Sequence, residues 1–547
     1  MKKYLTSKSI ATLFLGVLFT TVQADDITLK INKRYLNLPV SHQVDRNKMR
    51  FNVDGKQERE FVIRLASGKP DYWVFCDMES FKGKKVTISY DGNAEGLQKI
   101  YQDDKIAGQD SLYKEKNRPQ LHFTQRRGWN NDPNGLVWYD GEYHLFYQHN
   151  PYEREWENMH WGHAVSRDLL HWEELDLALY PDNNGTAFSG SAVIDYENTS
   201  GFGKKGKPAM VAIYTGAGAK QVQCVAYSLD KGRTWTKYEK NPVIDSGAKW
   251  KSVDTRDPKV FWYEPNKEWV MVLYERDGHS IYTSPNLKDW KYESHVTGFF
   301  ECPELFELPV DGNLNNKKWV MYGASGNYMI GSFDGKKFIP ETGKYYFSGG
   351  NVYAAQTYTN IPKSDGRRIQ IGWGRINHPS LPVNGCLTLP TELTLRTTKD
   401  GVRLFSSPIK ELDSLELPGI EGSNLTAEQA NEMLKPYADN DVIRLRFTIK
   451  LSHATSAGLS YKGQNLLDYD LNGNRVNGTF YSPEDMTSME VSVDMIVDRS
   501  IVEVFVDDGV YVHYVERKEH NKDGFVFWGN NIEVKSLKVN PMKSIWK

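Results

Sequence analysis

The chain has 547 residues, with 68 lysines and arginines against 70 aspartates and glutamates and a net charge of −2. Apolar residues make up 39% and charged residues 25%, an ordinary globular composition that excludes a disordered, collagenous or disulfide-framed chain. The slightly acidic balance gives no electrostatic case for nucleic acid. The length suggests three to four domains, at ~150 residues each. Aromatics at 13% favour strands and suit sugar rings.

Lys2, Lys3 and Lys8 lead into a mostly apolar run of thirteen residues, Ile10–Val22, which ends at Gln23-Ala24 before Asp25. Residues 1–24 therefore read as a secretory signal peptide. The run is short of the ~20 residues a membrane span needs, and no cysteine stands at the cut to carry a lipid. An exported protein, periplasmic or extracellular, is expected, with no membrane span. Losing this segment would take the net charge from −2 to −5.

Residues 25–117 carry short alternating runs: Ile27–Ile31, Phe61–Leu65, Tyr72–Phe75 and Val86–Tyr90, with turns at Asp54-Gly55 and Asp91-Gly92. A small N-terminal β domain is expected, acting as a structural cap in preference to a sugar-binding module.

Residues 118–405 repeat a pattern. A strand ends on an aromatic at Tyr147, Tyr214, Tyr274, Tyr322 and Trp373, with spacings of 67, 60, 48 and 51 residues. Four of these strands are followed by Ser-x-Asp or Ser-x-Asn and then an aromatic: Ser166-Arg-Asp168 with Trp172, Ser228-Leu-Asp230 with Trp235, Ser284-Pro-Asn286 with Trp290, and Ser332-Phe-Asp334 with Phe338. A polar turn with an aromatic on the returning strand is hairpin chemistry, and units of this size match propeller blades. Five units predict a five-bladed β-propeller. The segment before each aromatic strand would be the innermost, lining a central channel. Asp132, Asp257 and Glu301 would then meet at one mouth from three different blades.

Two carboxylates flanking a glycosidic bond suffice for hydrolysis, and a third can hold hydroxyls. Asn131, Gln148, Ser189 and Arg256 supply donors nearby. Trp129, Trp156, Phe188, Tyr353 and Trp373 supply flat walls. Glu304, three residues after Glu301, is a rival acid, but alternation along a strand puts the two on different faces. Glu173 and Glu174 read as a solvated face. His160 and His163 invite a metal, but no ligand pattern accompanies them, so no metal and no cofactor are expected. Cys76, Cys224, Cys302 and Cys386 read as buried thiols. Cys302, beside Glu301, is either packing or a tuner of that acid.

Trp129-Asn-Asn-Asp-Pro-Asn-Gly135, Phe146-Tyr-Gln-His-Asn-Pro151, Trp161-Gly-His-Ala-Val-Ser166, Phe188-Ser-Gly-Ser191, Arg256-Asp-Pro258 and Glu301-Cys-Pro303 together resemble glycoside hydrolase family 32, the invertases, inulinases and levanases. Leu387-Thr-Leu-Pro390 and Asp498-Arg-Ser-Ile-Val-Glu-Val-Phe505 also resemble it. The resemblance spans roughly 118–547. Asn130 and Thr391 depart from it where the family often has Met and Arg. It implies a retaining mechanism on β-D-fructofuranosides, with Asp132 as nucleophile, Glu301 as acid/base and Asp257 as transition-state stabiliser. It implies a fructose pocket lined by Asn131, Gln148, Trp156, Phe188, Ser189 and Arg256. A retaining pair would place the carboxyls of Asp132 and Glu301 ~5–5.5 Å apart.

Residues 406–547 alternate again, as in Val442–Ile449 and Ile501–Val506, which predicts a β-sandwich. Leu425–Leu434 reads as a short helix capped by Thr426. Asp468–Gly473 reads as a hairpin turn rather than a calcium loop. The expected whole is an all-β fold: a five-bladed β-propeller followed by a β-sandwich, with an extra small N-terminal β domain. The function expected is a glycoside hydrolase releasing fructose from fructans or fructo-oligosaccharides (levan or inulin), acting from chain ends. The rivals are a fructosyltransferase, an endo-acting levanase, an arabinan-type hydrolase and a non-catalytic carbohydrate-binding protein.

Overall fold

A computed structural model describes residues 26–451, 455–470, 472–480 and 489–546. The expected leader at 1–24 lies outside the described residues. The fold is all-β, a propeller followed by a sandwich, and the first sheets stand before the propeller.

Residues 27–103 form two sheets. One pairs Ile27–Lys30, Lys85–Tyr90, Asn47–Val53 and Lys56–Ile63 in that order, and the other pairs Tyr72–Asp77, Tyr35–Val40 and Tyr101–Asp103. Leu36, Leu38, Met49, Phe51, Ile63, Val74 and Ile88 fill the space between them. Tyr152, from far along the chain, completes this core.

The propeller sheets follow, and each is antiparallel along the chain. Gly128–Tyr139, Glu142–Asn150, His160–Ser166 and Glu173–Glu174 make the first. Thr186–Asp195, Ala209–Ala217, Gln221–Ser228 and Thr236–Lys237 make the next, and Thr255–Tyr263, Glu268–Glu275, Gly278–Ser284 and Lys291–Thr297 a third. Further round, Glu304–Val310 and its partners join Val352–Thr357, Arg368–Gly374 and Thr391–Thr398 in one ten-stranded sheet. The expected turn motifs are the cause of the hairpins. Ser228 Oγ donates to Asp230 Oδ1 (2.7 Å), and Asp168 Oδ1 accepts from the amides of Leu170 (3.0 Å) and His171 (2.9 Å). Each carboxylate replaces a backbone partner that a tight turn cannot supply.

The innermost strands stand side by side round the channel. The Ser191 hydroxyl donates to Pro258 O (2.8 Å) and accepts from Val260 N (2.9 Å), and the Thr359 hydroxyl donates to Ala192 O (2.7 Å). Val383–Asn384 pairs parallel to Gly128–Trp129 and closes the ring on its first strand.

The sandwich packs a seven-stranded sheet on a five-stranded one around Leu445, Phe447, Leu459, Leu467, Val493, Val504 and Phe527. Its helix, Ala427–Leu434, starts as the sequence predicts. Thr426 Oγ1 accepts from Gln429 N (3.3 Å) and the Gln429 side chain accepts from Thr426 N (2.9 Å), a reciprocal cap. Asp470 ends one strand of a hairpin with Arg475–Val476, as expected. Propeller and sandwich share a core of Leu121, Tyr147, Ile369, Leu387, Ile501, Phe505 and Val512. The propeller segment Ser348–Gly350 also pairs parallel to Val512–Tyr514 as a strand of the larger sandwich sheet.

Candidate active site

Four innermost strands carry the same irregularity near their starts. Pairing slips between Asn130 and Pro133, Ala187 and Gly190, Arg256 and Lys259, and Tyr353 and Gln356. In each case two residues face one on the partner strand, which is a β-bulge. The bulged pairs are Asn131–Asp132, Phe188–Ser189, Asp257–Pro258 and Ala354–Ala355. A bulge twists the strand and re-aims its side chains, so these segments can turn their residues toward one another. Gly190 is required next to its bulge, because a Cβ there would lie 2.1 Å from Ile213 O. Asp257 (φ 64°), Glu301 (46°), Cys302 (40°) and Ala354 (53°) adopt left-handed backbone. Each such residue stores about 1–3 kcal/mol and marks a site over-determined by its surroundings.

The bulges bring the acids together. Ser189 Oγ donates to Asp132 Oδ2 (2.7 Å) and Asn131 Nδ2 to Asp132 Oδ1 (3.2 Å), fixing both oxygens. The Cys302 thiol lies between two carboxylates, 3.5 Å from Asp132 Oδ2 and 3.6 Å from Asp257 Oδ2, and the Cys302 amide donates to that same Asp257 oxygen (3.1 Å). Burial, together with the charge of Glu301, raises the Asp132 pKa against the pull of Ser189 and Asn131. Burial and then the charge of Asp132 push Asp257 up to about 7, although Arg256 opposes this. Like charges held close together separate their titrations in this way. Burial and the three neighbouring acids hold the Cys302 thiol protonated, well above its usual pKa. The three ligand-type atoms of Asp132, Asp257 and Cys302 lie within 4.8 Å of one another. The neutral thiol has one proton, so it can donate to either carboxylate but not to both at once. Cys302 packs against Ala324 and Ala354, and the acids its thiol touches are Asp132 and Asp257, not the Glu301 beside it in sequence.

Glu301 has different partners. Arg256 donates to its Oε1 from Nε (3.0 Å) and Nη2 (2.7 Å), and the Tyr353 hydroxyl donates to Oε2 (2.5 Å). Arg256 is in turn held by Asp254 and by Gln221 (3.3 Å), and it lies over the rings of Tyr274 (5.0 Å) and Phe300 (5.9 Å).

Aromatic walls surround the acids. Trp373 meets Trp129 edge-on (5.8 Å) and Tyr353 (6.5 Å), and Trp129 Nε1 donates to Asn131 Oδ1 (2.8 Å). Trp156 stands edge-on to Phe188 (5.9 Å). Gln148 faces the Asn131–Asp132 bulge from the partner strand, and its amide nitrogen is committed to Ala187 O (2.9 Å). It sets the position of the Phe188–Ser189 segment.

A sequence family described as "Glycosyl hydrolases family 32 N-terminal domain" matches residues 122–408, more than half of the chain. The chain belongs to glycoside hydrolase family 32. This family-32 hydrolase is 41% identical over 493 residues to a levanase of Bacillus subtilis (strain 168), covering 80% of this chain and 72% of the relative. It is 35% identical over 481 residues to an extracellular exo-inulinase of Aspergillus niger, covering 73% and 88%. Its fold matches the crystal structure of an exo-inulinase from Aspergillus awamori with a TM-score of 0.68 at 28% identity, over 79% of this chain and all of that one. Residues 26–116 match a domain of unknown function (DUF4980).

Around this family-32 site the structure also corrects and completes the sequence reading. Glu174 is not a solvated residue: it accepts from Arg126 N (2.6 Å) and Nε (3.2 Å), and its side chain is almost wholly buried. Glu304 is wholly buried. It pairs with Lys259 (2.7 Å) and accepts from the Thr357 amide (3.0 Å) and hydroxyl (2.7 Å). Every oxygen it has is occupied, so Glu304→Gln is expected to lower the thermal midpoint, since it strands Lys259 without a counter-charge. Turnover per folded molecule is expected to stay near wild type. Thermal melting alongside kcat checks this, and a selective loss of kcat would make Glu304 a reacting group. His160 and His163 are kept neutral by burial. Burial and backbone explain them: His160 Nδ1 meets Asn158 O (2.5 Å) and His163 stacks on Phe146 (4.1 Å). All four cysteines are buried and free. Asp254, Gln221 and Thr215, whose hydroxyl accepts from Asp257 N (3.0 Å), carry no signal of a site in the sequence, and Tyr274 is marked there only as a strand end. The one hint is the nearness of Asp254 to Arg256.

Proposed function

We propose that this chain removes terminal fructose from β-D-fructans or fructo-oligosaccharides of levan or inulin type, with retention of configuration. The observation that carries this is the separate treatment of two acids. Asp132 has both oxygens oriented by Ser189 and Asn131, and Glu301 is held by Arg256 and Tyr353. Asp132 attacks C2 of the terminal fructosyl unit while Glu301 gives its proton to the leaving oxygen. Water then attacks C2, Glu301 takes a proton from it, and the Asp132 carboxylate is released. Asp257 binds fructose hydroxyls beside the developing positive charge. A retaining path calls for ~5–5.5 Å between the carboxyls of Asp132 and Glu301. Asn131, Gln148, Trp156, Phe188, Ser189, Arg256, Tyr353 and Trp373 line the pocket. The levanase and exo-inulinase relatives support the substrate class, and the exo-inulinase supports action from chain ends.

The domain reading goes with it: an N-terminal unit over 25–117, a five-bladed propeller over 118–405 and a sandwich over 406–547. The ten-stranded sheet divides at Val310 and Leu395, where its halves meet through a single parallel pair. Counting each half as a blade gives five round the channel. Export through the leader at 1–24 is supported by the relative described as extracellular.

The test is product analysis of the mature chain on levan, inulin and sucrose separately. Fructose as the sole early product from one polymer, first formed as the β-anomer, is the expected result. A ladder of oligosaccharides would overturn terminal cleavage, and no product from any of the three would overturn the fructan reading.

A further inference from the structure

Trp156 lies in an irregular segment between the strands Glu142–Asn150 and His160–Ser166, and it is 51% exposed. A half-exposed indole on a loop has no rigidity of its own and can only serve as a sugar wall if something else fixes it.

What fixes this segment is the N-terminal unit. Tyr152 stacks on Phe61 with centroids 3.7 Å apart and planes at 18°. Glu153, wholly buried, accepts from Arg46 Nε (2.7 Å), Arg64 Nη1 (2.9 Å) and the Arg64 amide (2.7 Å). The Arg154 amide donates to the Tyr72 hydroxyl (3.2 Å). Glu155 accepts from Arg46 (2.8 Å) and Arg64 (3.2 Å), and Glu157 lies 3.7 Å from Arg46. The Asn158 side chain makes a two-way bond with Val62, accepting from its amide (2.9 Å) and donating to its carbonyl (2.9 Å). Residues 152–155, 157 and 158 thus all touch residues 46–72. Trp156 faces Phe188 instead, whose neighbour Ser189 holds Asp132.

We propose that the N-terminal unit is a positioning device for Trp156: the Arg46–Arg64 pair, Phe61 and Val62 lock the segment 152–158 so that the indole stands preformed at the rim of the sugar pocket. The role rests on the fructan reading above. It goes beyond a cap, because the grip falls on both sides of a pocket residue. Arginine suits the task, since two planar guanidiniums can each engage several carboxylates at fixed angles. Glu153, Asn158, Arg46 and Arg64 are positioning residues, which act through Trp156 and touch no sugar.

The test uses the full mature chain with Glu153→Gln and Asn158→Ala. If Glu153→Gln fails to fold, Arg46→Met replaces it, because Arg46 is more exposed. KM and kcat are measured on the preferred fructan, and amide hydrogen exchange is followed over 151–159. KM is expected to rise about ten- to hundredfold, as a misplaced binding group commonly does, while kcat falls much less. Trp156→Ala is expected to give the same split. Each positioning variant combined with Trp156→Ala is expected to be no worse than Trp156→Ala alone. Exchange at 151–159 accelerates while the propeller strands keep their protection. Losses that multiply in the double variants, or unchanged exchange at 151–159, would overturn the proposal. A wild-type chain that releases no fructose would instead overturn the fructan reading, and the exchange result would still decide whether the N-terminal unit holds this segment.

Discussion

Asp132→Asn is expected to lower fructose release by about 10⁴-fold or more while the protein folds as well as wild type. In the proposed mechanism an amide oxygen cannot form the ester to C2 that divides the reaction into two steps, and loss of a nucleophile removes rate on this scale. The exchange is nearly isosteric. Asn131 can still donate to the remaining oxygen, and the Ser189 hydroxyl can turn to accept from the new amide. The stability sign follows from the acid's own shift. Its pKa is raised by burial and by Glu301, so the ionised form is disfavoured in the folded state. The stability penalty is present at pH above the raised pKa and disappears as the acid is protonated. Near neutral pH the Asn variant should therefore melt at the same temperature as wild type or higher. Asp257 should also fall below about 7, because the charge of Asp132 is the second cause of its rise, after burial. Initial rates over a range of substrate concentrations and a thermal melt check the first two outcomes, and carboxyl titration by infrared difference spectroscopy checks the third. Activity within tenfold of wild type would remove Asp132 from the mechanism.

The second large effect is on stability and involves a different set of charged groups. His122, Asp498 and Glu503 are all wholly buried where propeller meets sandwich. His122 Nδ1 meets Asp498 Oδ2 (2.8 Å) and Nε2 meets Glu503 Oε1 (3.1 Å), and Asp498 also accepts from the amides of Gln120 (2.8 Å), Leu121 (2.8 Å) and His122 (3.2 Å). Burial opposes charging of His122, but its two acidic partners outweigh burial and push it up to about 9. Asp498 moves the opposite way, since His122 and the backbone amides overcome burial and hold it below its usual value. Asp498→Ala would leave a buried imidazolium with one partner and remove the acceptor from four amides, that of Arg499 (2.7 Å) included, which costs about 3–5 kcal/mol. The pH signs follow. The imidazolium contribution is fully present below pH 6.5, the ordinary histidine value, and is lost as pH rises through about 9. The Asp498 contribution is present above the ordinary carboxylate value and is lost as pH falls through its lowered pKa. Wild type should therefore hold a plateau of stability at mildly acidic pH and lose it on the alkaline side, and Asp498→Ala should flatten that alkaline decline. Urea unfolding at several pH values would show it. A variant as stable as wild type, with the same pH profile, would make the cluster incidental.

Much of this was legible in the sequence because the governing signals are local. The Ser-x-Asp turns, the aromatic strand ends and the alternating runs each act within a few residues, so the sheets of the propeller and the three acids at one mouth could be read directly. The strand Tyr35–Val40 was missed because Asn37 and Pro39 fall between its apolar residues, and both residue types signal turns rather than strands. The bulges were missed because a bulge is a mismatch between two strands and leaves no mark on either one alone. Asp498 could be recognised only by resemblance, because its partner His122 lies 376 residues away. Glu174 looked solvated because its neighbour Arg126 belongs to a different part of the chain.

The bulges also limit how a site of this kind can diversify. Side chains alternate across a strand, so deleting one residue between Ala187 and Gly190 would turn either the Phe188–Ser189 end or the Ala192–Ile194 end of that strand inside out. A length change there is all or nothing. Exchanging Phe188 or Trp156 for another ring instead alters one wall and leaves the backbone where it is. New sugar preferences on this scaffold should thus arise through residue identity in the inner strands and through length only in the outer loops.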